Sequence, residues 1–493
     1  MAAALFVLSL MVLPFLHAQT VTTGAITGTV TDPSSAAIPG VTVTATEKAT
    51  GAARTAVTDA NGSYRISLLP PGEYALQFSA PGFKTLVPPP VKVVVTEVAT
   101  LNVQMVLGEK RETVEVTSSA QVVQSQNATL GTVVENRAIT ELPLSTRNYT
   151  QALTMSPGVI ADVNNAAELG KGTQDVYVNG ASNISNNFQM DGTDANNFGS
   201  GRAGNFLQQG GIPIPNPDAI QEFKVQTTLF DAGYGRGAGA NVDVVTKSGS
   251  NGLHGSLFEF FRNDVLVAND FFLNTNQQPR PTMKQNQFGG SLGGRLVKER
   301  AFFFGSYQGT RQINGLSPSS FSSNFLPPLT DDRSAATLGQ EFCGQSTAFG
   351  GVQVACNGSN INPVALKLLS VKLPNGTFLI PTPQKITNGV GFSAYSLPGR
   401  FDEDQFLINT DFVLSNTHRL AQRYFYSRAP QVAPFSSCFF VACTPGSAQD
   451  ASFRNHLASL KLTSAFSAGL VNEALVSFSR NTGVLTSASS IQD

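Results

Sequence analysis

The second half of the chain contains long stretches in which apolar or small side chains alternate with polar ones. In one of them a first face carries Asn286, Phe288, Gly290, Leu292, Gly294 and Leu296, and the opposite face carries Gln285, Gln287, Ser291 and Arg295. Because successive side chains of a strand point to opposite sides, this pattern predicts a β-strand with one apolar and one polar face. Sustained over about ten residues, it is typical of a strand between lipid and a polar lumen.

Short turns and long connections alternate along this half of the chain. We count about seven candidate strands, the first of them from Gly255 to Arg262. The turns at residues 298–300 and 415–417 are short, whereas the connections at 312–404 and 429–455 are long. Outer-membrane barrels have short periplasmic turns and long extracellular loops. The asymmetry therefore predicts the first strands of such a barrel, and it is not expected of a compact soluble β-sandwich.

The composition excludes several other classes. Charged residues make up 13% of the 493 residues, and the formal net charge is −1. A nucleic-acid-binding protein needs an excess of basic side chains, so nucleic acid is not an expected partner. Beyond the first residues the chain has no apolar run of about 18 residues, which excludes helical membrane spans. Disordered chains combine low hydrophobicity with high net charge, and this chain has neither.

Residues 24–108 contain short alternating segments separated by turns rich in Pro, Gly, Asn and Asp, which predicts a small β-sandwich. This region resembles the carboxypeptidase regulatory-like domain, whose pattern is matched by Gly28-Thr-Val-Thr-Asp32, Ile38-Pro-Gly-Val-Thr-Val43, Thr58-Asp-Ala-Asn-Gly-Ser-Tyr64 and Leu69-Pro-Pro-Gly-Glu-Tyr74. The resemblance implies a carbohydrate-binding-like fold that serves as a binding or spacer module. It does not imply peptidase chemistry, because zinc peptidases need His and Glu ligands and no His lies between Thr20 and Leu253.

Residues 109–248 lose the regular alternation and are rich in Asn, Gly and Asp. This region resembles the plug of TonB-dependent outer-membrane receptors, in particular the Oar-like subfamily, which also carries a carboxypeptidase regulatory-like domain in front. The matching segments are Glu141-Leu-Pro-Leu-Ser-Thr-Arg-Asn148, Pro157-Gly158, Val178-Asn-Gly180, Met190-Asp-Gly192, Ile220-Gln-Glu-Phe-Lys-Val-Gln226, Tyr234-Gly-Arg236 and Val244-Val-Thr-Lys-Ser-Gly249. The resemblance continues into the barrel region through Leu257-Phe-Glu-Phe-Phe-Arg-Asn-Asp264 and Ala301-Phe-Phe-Phe-Gly-Ser-Tyr307.

In this family the plug begins with a TonB box, an extended segment that pairs with the periplasmic protein TonB. The hexad of Glu112, Thr113, Val114, Glu115, Val116 and Thr117 resembles a TonB box in composition and position. An alternating stretch beside a hinge can add itself to the sheet edge of a partner. A hexad of this kind is about as often an ordinary strand, and both interpretations stay open.

The N-terminus and the cysteines both indicate an exported protein. Residues 1–18 are interpreted as a secretory signal peptide, because an apolar stretch ends in a small residue before a polar start. No basic residue precedes the apolar stretch, so the true start is expected to lie upstream. The two cysteine pairs, Cys343 with Cys356 and Cys438 with Cys443, are close in sequence and predict two local disulfides in an oxidising compartment.

We predict no catalytic, cofactor-binding or metal-binding residues and do not expect an enzyme. The four histidines are scattered, and the chain has no Ser/His/Asp order or metal-ligand spacing that stands out. The acidic run from Asp191 to Asn196 lacks the ligand spacing of an EF-hand and is interpreted as a solvated turn. The run from Gly235 to Ala240 satisfies a loose dinucleotide fingerprint without the surrounding βαβ unit.

The predicted chain is dominated by β-structure. It comprises a signal peptide (1–18), a β-sandwich (24–108), a TonB box with an α+β plug (109–248) and the first strands of a transmembrane antiparallel β-barrel (249–493). The resemblance implies a barrel of about 22 strands, so about seven strands cannot close it. We therefore expect an N-terminal part of a longer protein.

The expected function is that of an outer-membrane receptor and transporter whose partners are TonB, outer-membrane lipid and an extracellular glycan, peptide or iron chelate. The sandwich is then expected in the periplasm. The alternative is a surface carbohydrate- or peptide-binding adhesion protein that uses the barrel as an anchor. In that case the sandwich aromatics Tyr64, Tyr74, Phe78 and Phe83 would stack on sugar rings, although alternating strand aromatics more often belong to a core.

Overall fold

The computed structural model describes residues 22–108, 113–115, 130–161, 168–172, 175–196, 212–230, 234–235, 237–275, 277–317, 320–346, 350–373, 376–435, 447–467 and 470–489. The predicted signal peptide at residues 1–18 lies outside these ranges. The described chain is dominated by strands, as the sequence predicts.

Residues 22–108 form a β-sandwich, in agreement with the sequence. Its strands are β1 (Gly24–Thr31), β2 (Thr42–Glu47), β3 (Ala53–Val57), β4 (Ser63–Leu69), β5 (Gly72–Ser79), β6 (Thr85–Val87), β7 (Val91–Val93), β8 (Val98–Thr100) and β9 (Val103–Gln104). One sheet has the order β4-β1-β8, and β9 also pairs with β1. The other contains β6-β5-β2-β3, and β7 also pairs with β5. A short strand, β10 (Thr113–Glu115), pairs with β6 at the edge of this second sheet.

We name the described residues between 130 and 246 the plug. This domain packs on one face of the seven-stranded sheet that follows it in the chain. Its elements are β11 (Leu130–Glu135), α1 (Asn136–Glu141), β12 (Val159–Ala161), β13 (Val176–Val178), β14 (Asn187–Met190), β15 (Thr193–Asp194), β16 (Ile220–Thr228) and β17 (Asn241–Thr246). The main sheet has the order β11-β16-β17-β14-β15 and is mixed, because β14 and β17 are parallel. Strands β12 and β13 form a separate antiparallel pair.

The remaining residues form a seven-stranded antiparallel sheet that we name the barrel wall. The elements in chain order are β18 (His254–Asn263), α2 (Phe271–Thr275), β19 (Met283–Val297), β20 (Ala301–Asn314), β21 (Phe321–Leu326), α3 (Ala335–Glu341), α4 (Pro363–Ser370), β22 (Lys385–Thr387), β23 (Val390–Ser396), β24 (Gly399–Val413), β25 (His418–Ala433), β26 (Ser447–Ser467) and β27 (Leu470–Ser489). The wall has the order β18-β19-β20-β24-β25-β26-β27, so its strands are arranged in chain order, and β21, β22 and β23 lie in the connection between β20 and β24.

The two faces of the wall differ as the alternation predicts. Gln285 and Gln287 of β19 are buried against the plug, with exposed fractions of 2% and 3%, whereas Leu292 is half exposed. On β24, Gln405 and Asn409 are buried, and Ile408 between them is exposed. The polar face therefore lies inside, and the apolar face lies outside where an outer-membrane barrel meets lipid.

The strands are longer, and the connections more ordered, than the sequence predicts. Strand β26 has 21 residues and begins at Ser447, whereas the pattern was clear only from His456. Small and polar residues in its first half weaken the apolar signal. The long connection after β20 contains helices α3 and α4 and a three-stranded sheet in the order β21-β23-β22. Among the described residues, none of the helices has the length and apolar character needed to cross a membrane.

Candidate functional site

The candidate TonB box lies at the edge of the sandwich. Within the hexad, Thr113, Val114 and Glu115 form β10, which pairs in parallel with β6. The aligned positions are Thr113 with Thr85, Val114 with Leu86 and Glu115 with Val87. Glu112, Val116 and Thr117 lie outside the described residues. The structure thus places the middle of the hexad in a strand, and its interpretation as a TonB box stays a prediction.

The sandwich is docked on the plug through the turn between β7 and β8. The backbone N–H of Val95 donates to the Glu222 carboxylate at 2.6 Å, and the Lys224 ammonium lies 3.3 Å from the Glu97 carboxylate. Glu222 and Lys224 belong to plug strand β16 and are each 3% exposed. A third residue of that strand, Gln226, donates to the Thr96 hydroxyl at 3.4 Å. Three alternate residues of one plug strand therefore bind one turn of the sandwich.

The docking turn has an unusual backbone. Thr96 has a φ of 56°, in the left-handed region that β-branched residues rarely adopt. Such a conformation persists when the surroundings hold it in place, and the contacts of the turn with β16 do so here.

Two carboxyl groups of the plug sheet are held away from water. Burial raises the pKa of Glu222 to about 7, and the hydrogen bond from Val95 opposes this shift. Burial likewise raises the pKa of Asp243 to about 7, against hydrogen bonds from Tyr234 and Gln226. Both groups therefore change protonation near neutral pH, at the contact between two domains in the case of Glu222.

Polar side chains of the wall bind the backbone and side chains of the plug. Gln312 of β20 accepts from the N–H of Gly170 at 2.6 Å, and Asn314 donates to the carbonyl of Glu168 at 2.9 Å. Asn409 of β24 donates to the Thr246 hydroxyl at 2.8 Å. These wall side chains are fully buried or nearly so. The plug is thus attached to the wall by buried hydrogen bonds, and Phe304, Leu407, Phe425 and Leu457 of the wall add an apolar contact with the plug core.

Arg147 is a buried cationic contact between plug and wall. Its guanidinium donates to Gln308 of β20 at 2.9 Å and to the Asp218 carboxylate of the plug. It also lies over the rings of Phe258 and Phe260, at 4.2 and 4.4 Å from their centroids. Burial lowers the pKa of Arg147, and the neighbouring Asp218 opposes the shift. Arginine suits this position because its planar group binds a carboxylate and stacks on rings at once.

A second buried ion pair joins the same two parts. The Lys171 ammonium of the plug lies 3.1 Å from the Glu403 carboxylate of β24, with side-chain exposures of 9% and 6%. Burial lowers the pKa of Lys171, and Glu403 opposes this effect. Buried ion pairs of this kind add little net stability, but removing one partner is strongly unfavourable. The pair therefore contributes little net stability, but it favours the one position of the plug in which both charges are paired.

A cavity of about 720 Å³ lies where sandwich, plug and wall meet. Its lining includes Glu47 and Arg54 of the sandwich, Asp191 of the plug and Arg419 of the wall. Burial lowers the pKa of Arg54 to about 10, and the nearby Arg419 adds to the shift. The space is lined by charges of both signs, so it suits polar rather than apolar contents.

Several sequence predictions concern individual residues. Tyr64, Tyr74 and Phe78 are buried at 2% exposure or less, and Phe83 packs on the same core, so these rings belong to the sandwich interior and do not form a sugar-binding surface. Cys343 and Cys356 form a disulfide, whereas Cys438 and Cys443 lie outside the described residues. No group of three or more His, Cys, Asp or Glu side chains suited to a metal ion occurs in the described ranges.

The interpretation of Asp191–Asn196 as a solvated turn is wrong, because four of its six residues are buried, Asn196 at 4% exposure among them. Asp191 is 8% exposed, and its carboxylate accepts from the N–H and the hydroxyl of Thr246. A single sequence does not show which acidic turn another strand will cover.

The docking role of Glu222, Lys224 and Gln226 was not predicted from the sequence. Their alternation with Phe223 and Val225 was visible and predicts one polar face of a strand. A polar strand face is normally exposed to water, so the alternation alone did not show that a second domain covers this face.

Comparison with known proteins follows the same domain order. The sequence profile of the family described as outer membrane beta barrel domain matches residues 245–493, and that of the carboxypeptidase regulatory-like domain matches residues 25–106. The TonB-dependent transporter Oar of Myxococcus xanthus is 28% identical over 295 residues, which cover 56% of this chain and 26% of Oar. The chain therefore spans about a quarter of the length of the curated relative it matches.

Solved structures that align with this chain include a transporter and a receptor. The outer membrane transporter YddB of Escherichia coli aligns with a TM-score of 0.42 and 12% identity, over 68% of this chain and 37% of YddB. A mutant of the ferric enterobactin receptor PfeA of Pseudomonas aeruginosa aligns with a TM-score of 0.37 and 12% identity, over 75% of this chain and 47% of the receptor.

Proposed function

We propose that this chain, which belongs to the family of outer membrane beta barrel domains, is part of a receptor that binds an extracellular ligand and imports it with energy transmitted by TonB. The chain lies in the outer membrane and is homologous to a TonB-dependent transporter. In this role the long connections of the wall face the exterior and the sandwich lies in the periplasm. Import requires no bond in the ligand to be made or broken.

The observation that carries the proposal is the polar contact between plug and wall. Gln312, Asn314 and Asn409 bind the plug through hydrogen bonds, and water can replace such bonds when the two parts separate. An apolar contact of the same extent would resist separation, because its exposure to water is unfavourable. A plug that must shift to open a path is therefore better attached by the polar kind.

Energy would enter through the hexad Glu112–Thr117. Strand addition to a partner needs an extended segment with free backbone groups, and the described part of the hexad is extended. Tension on this segment would displace the plug and break the contacts of Arg147 and Lys171 with the wall. The ligand would then pass toward the cavity between sandwich, plug and wall.

The test is deletion of Glu112–Thr117 in the full-length protein. We expect a loss of at least tenfold in the uptake of whichever radiolabelled probe the wild type accumulates, offered as a ferric siderophore, an oligosaccharide and a peptide. Binding of the same probe to de-energised cells should be unchanged. Deletion of residues 121–126, which shortens the chain between hexad and plug by the same six residues and leaves the hexad intact, serves as the matched control. Uptake that survives the loss of the hexad would refute energy coupling through it.

A further inference from the structure

Strand β10 is the outermost strand of the sandwich sheet to which it belongs. The order β10-β6-β5-β2-β3 places β6 on one side of it, and none of the other described strands pairs with its second side. The pairing with β6 is parallel and in register over Thr113–Glu115. The backbone of these residues is thus already extended and aligned by a neighbouring strand.

An edge strand offers a row of backbone N–H and C=O groups to another chain. A disordered segment must lose conformational freedom before it can pair, whereas a strand held in a sheet has lost it already. An edge that is held in this way is a prepared surface for one kind of partner, a protein that adds a β-strand.

From this geometry we propose that the partner adds its strand to the outer edge of β10 while β10 stays paired with β6. The sandwich would then present the hexad to TonB and would become part of a continuous sheet with it. This inference rests on the proposed function for the identity of the partner. It goes beyond that function by giving the sandwich a role in the contact and by predicting that β10 does not leave β6.

The docking contacts of the sandwich give this arrangement a mechanical consequence. Tension applied to β10 passes through β6 into the sandwich, and from its 95–97 turn to Glu222, Lys224 and Gln226 of plug strand β16. Strand β16 lies between β11 and β17 in the plug sheet. The sandwich is thereby a second connection between TonB and the plug, besides the chain between residues 116 and 129.

The experiment joins β10 to β6 covalently in the full-length receptor. Aligned positions on neighbouring strands have Cα atoms about 4.8 Å apart, a separation that a disulfide can bridge. The variant Val87→Cys/Glu115→Cys is oxidised and digested with trypsin, which cuts after Lys84, Lys92, Arg111 and Arg137. The disulfide then joins peptides 85–92 and 112–137, which mass spectrometry identifies.

Two further pairs control the oxidation. Thr46→Cys/Ala53→Cys joins the aligned strands β2 and β3 and should form in any folded sandwich. Val57→Cys/Glu115→Cys places one cysteine on β3, at the opposite end of the sheet order from β10, and should not form. If the control pair on β2 and β3 forms and the pair on β6 and β10 does not, the strand pairing and the inference are refuted.

The decisive measurement is the affinity for the purified periplasmic domain of TonB from the same bacterium. We expect the dissociation constant of the oxidised variant to lie within about twofold of that of the same variant after reduction. A loss of more than tenfold that dithiothreitol reverses would show that β10 must leave β6, and would overturn the inference. If neither the wild type nor the reduced variant binds TonB, the proposed function fails instead, even where the disulfide forms.

Discussion

The sandwich core and the contact between plug and wall are both buried, yet the sandwich core is apolar, whereas amide and charged side chains make up much of the plug-wall contact beside a smaller apolar part. In the sandwich, the inward positions carry apolar groups such as Ile26, Val43 and Phe78. In the wall, the inward positions of equally regular strands carry Gln285, Gln308 and other amides. The alternation of two residues is the same in both regions. What differs is the chemistry placed on the buried face.

This difference separates permanent contacts from replaceable ones. Apolar surface gains about 25 cal/mol per Å² on burial, and that gain is lost whenever the surface returns to water. A hydrogen bond contributes only about 0.5–1.5 kcal/mol net, because each partner binds water when the two are apart. Burial alone therefore does not indicate whether two parts can separate. The polarity of the buried face does indicate it.

The largest effect should come from the sandwich core. Phe78 is fully buried and packs edge-on against Tyr64 at 5.5 Å between ring centroids. We expect Phe78→Ala to destabilise the sandwich by about 3–5 kcal/mol through lost burial and a cavity. Hydrogen exchange in the full-length protein should accelerate in β2 and β5 and stay unchanged in β20 and β24. The matched variant Phe78→Leu should have a smaller effect, and equal acceleration in β20 would contradict the separation of the two regions.

The next effect concerns the buried pair of Lys171 and Glu403. Lys171→Met leaves the Glu403 carboxylate without its cation, and we expect the plug contact to weaken by about 3 kcal/mol. Removing both charges in Lys171→Met/Glu403→Leu should restore most of this loss, because apolar groups of similar size replace a buried pair well. Hydrogen exchange of residues 168–172 measures how strongly the plug contact is weakened in each variant. If exchange were as fast in the double variant as in the single one, the ion pair itself would be shown to stabilise the plug contact.

An intermediate, pH-dependent effect is expected where the sandwich meets the plug. The pKa of Glu222 lies at about 7 in the docked protein and near its ordinary value of 4.5 when the carboxyl is exposed. The docked state therefore binds an extra proton between these values, so docking is strongest below about pH 4.5 and weakens as the pH rises through 7. The full change is on the order of 3 kcal/mol. Lys92, Glu135 and Glu97 also face this carboxyl and modulate the shift.

Glu222→Gln isolates this contribution, because its amide oxygen can still accept from Val95 while it no longer titrates. We expect hydrogen exchange of the 94–98 turn, corrected for the intrinsic effect of pH, to lose most of its dependence between pH 5 and 8. Asp243 titrates in the same range in both proteins, so only the difference between them is attributed to Glu222. If the pH dependence of hydrogen exchange were the same in Glu222→Gln and in the wild type, Glu222 would be excluded as the titrating group.

The smallest effect should come from an exposed ion pair of the sandwich. Lys48 and Glu73 lie 3.0 Å apart, with side chains more than half exposed. Lys48→Ala should change the stability of the sandwich by no more than about 0.5 kcal/mol, as is usual for pairs surrounded by water. Calorimetry of the full-length protein against the wild type checks this. A larger loss would mean that charge, and not burial, governs the sandwich.

The sequence predicted the polarity of the wall strands but not the neighbour of each face. Gln285 and Gln287 lie inside, as their alternation with Phe288 and Leu292 indicates. The sequence assigns no face to the phenylalanines at 302–304, and in the structure Phe302 and Phe304 are buried, with Phe304 in the apolar core of the plug. Three aromatic residues in a row carry no alternation, so the sequence could not assign their faces.

The docking surface between sandwich and plug was harder to predict from the sequence than the faces of the wall strands. Glu222 and Asp191 are charged residues in regions rich in turns and polar side chains, where solvent exposure is the normal expectation. Both are buried because a distant part of the chain covers them, Val95 in the first case and Thr246 in the second. Such contacts depend on the relative placement of domains, which local patterns do not contain.

The length of the last hairpin of the wall has a consequence for where a ligand first meets the protein. Strand β26 has 21 residues, and a transmembrane strand needs only about 10. At about 3.4 Å per residue and a tilt of about 40°, it rises roughly 50 Å along the membrane normal, about twice the height of the apolar band. The outer part of β26 and β27 is thus a stiff two-stranded ribbon on the side of the long connections. Its end, where Ser447 pairs with Ser489, stands well above the lipid, so anything that approaches from outside meets this ribbon before it reaches the plug.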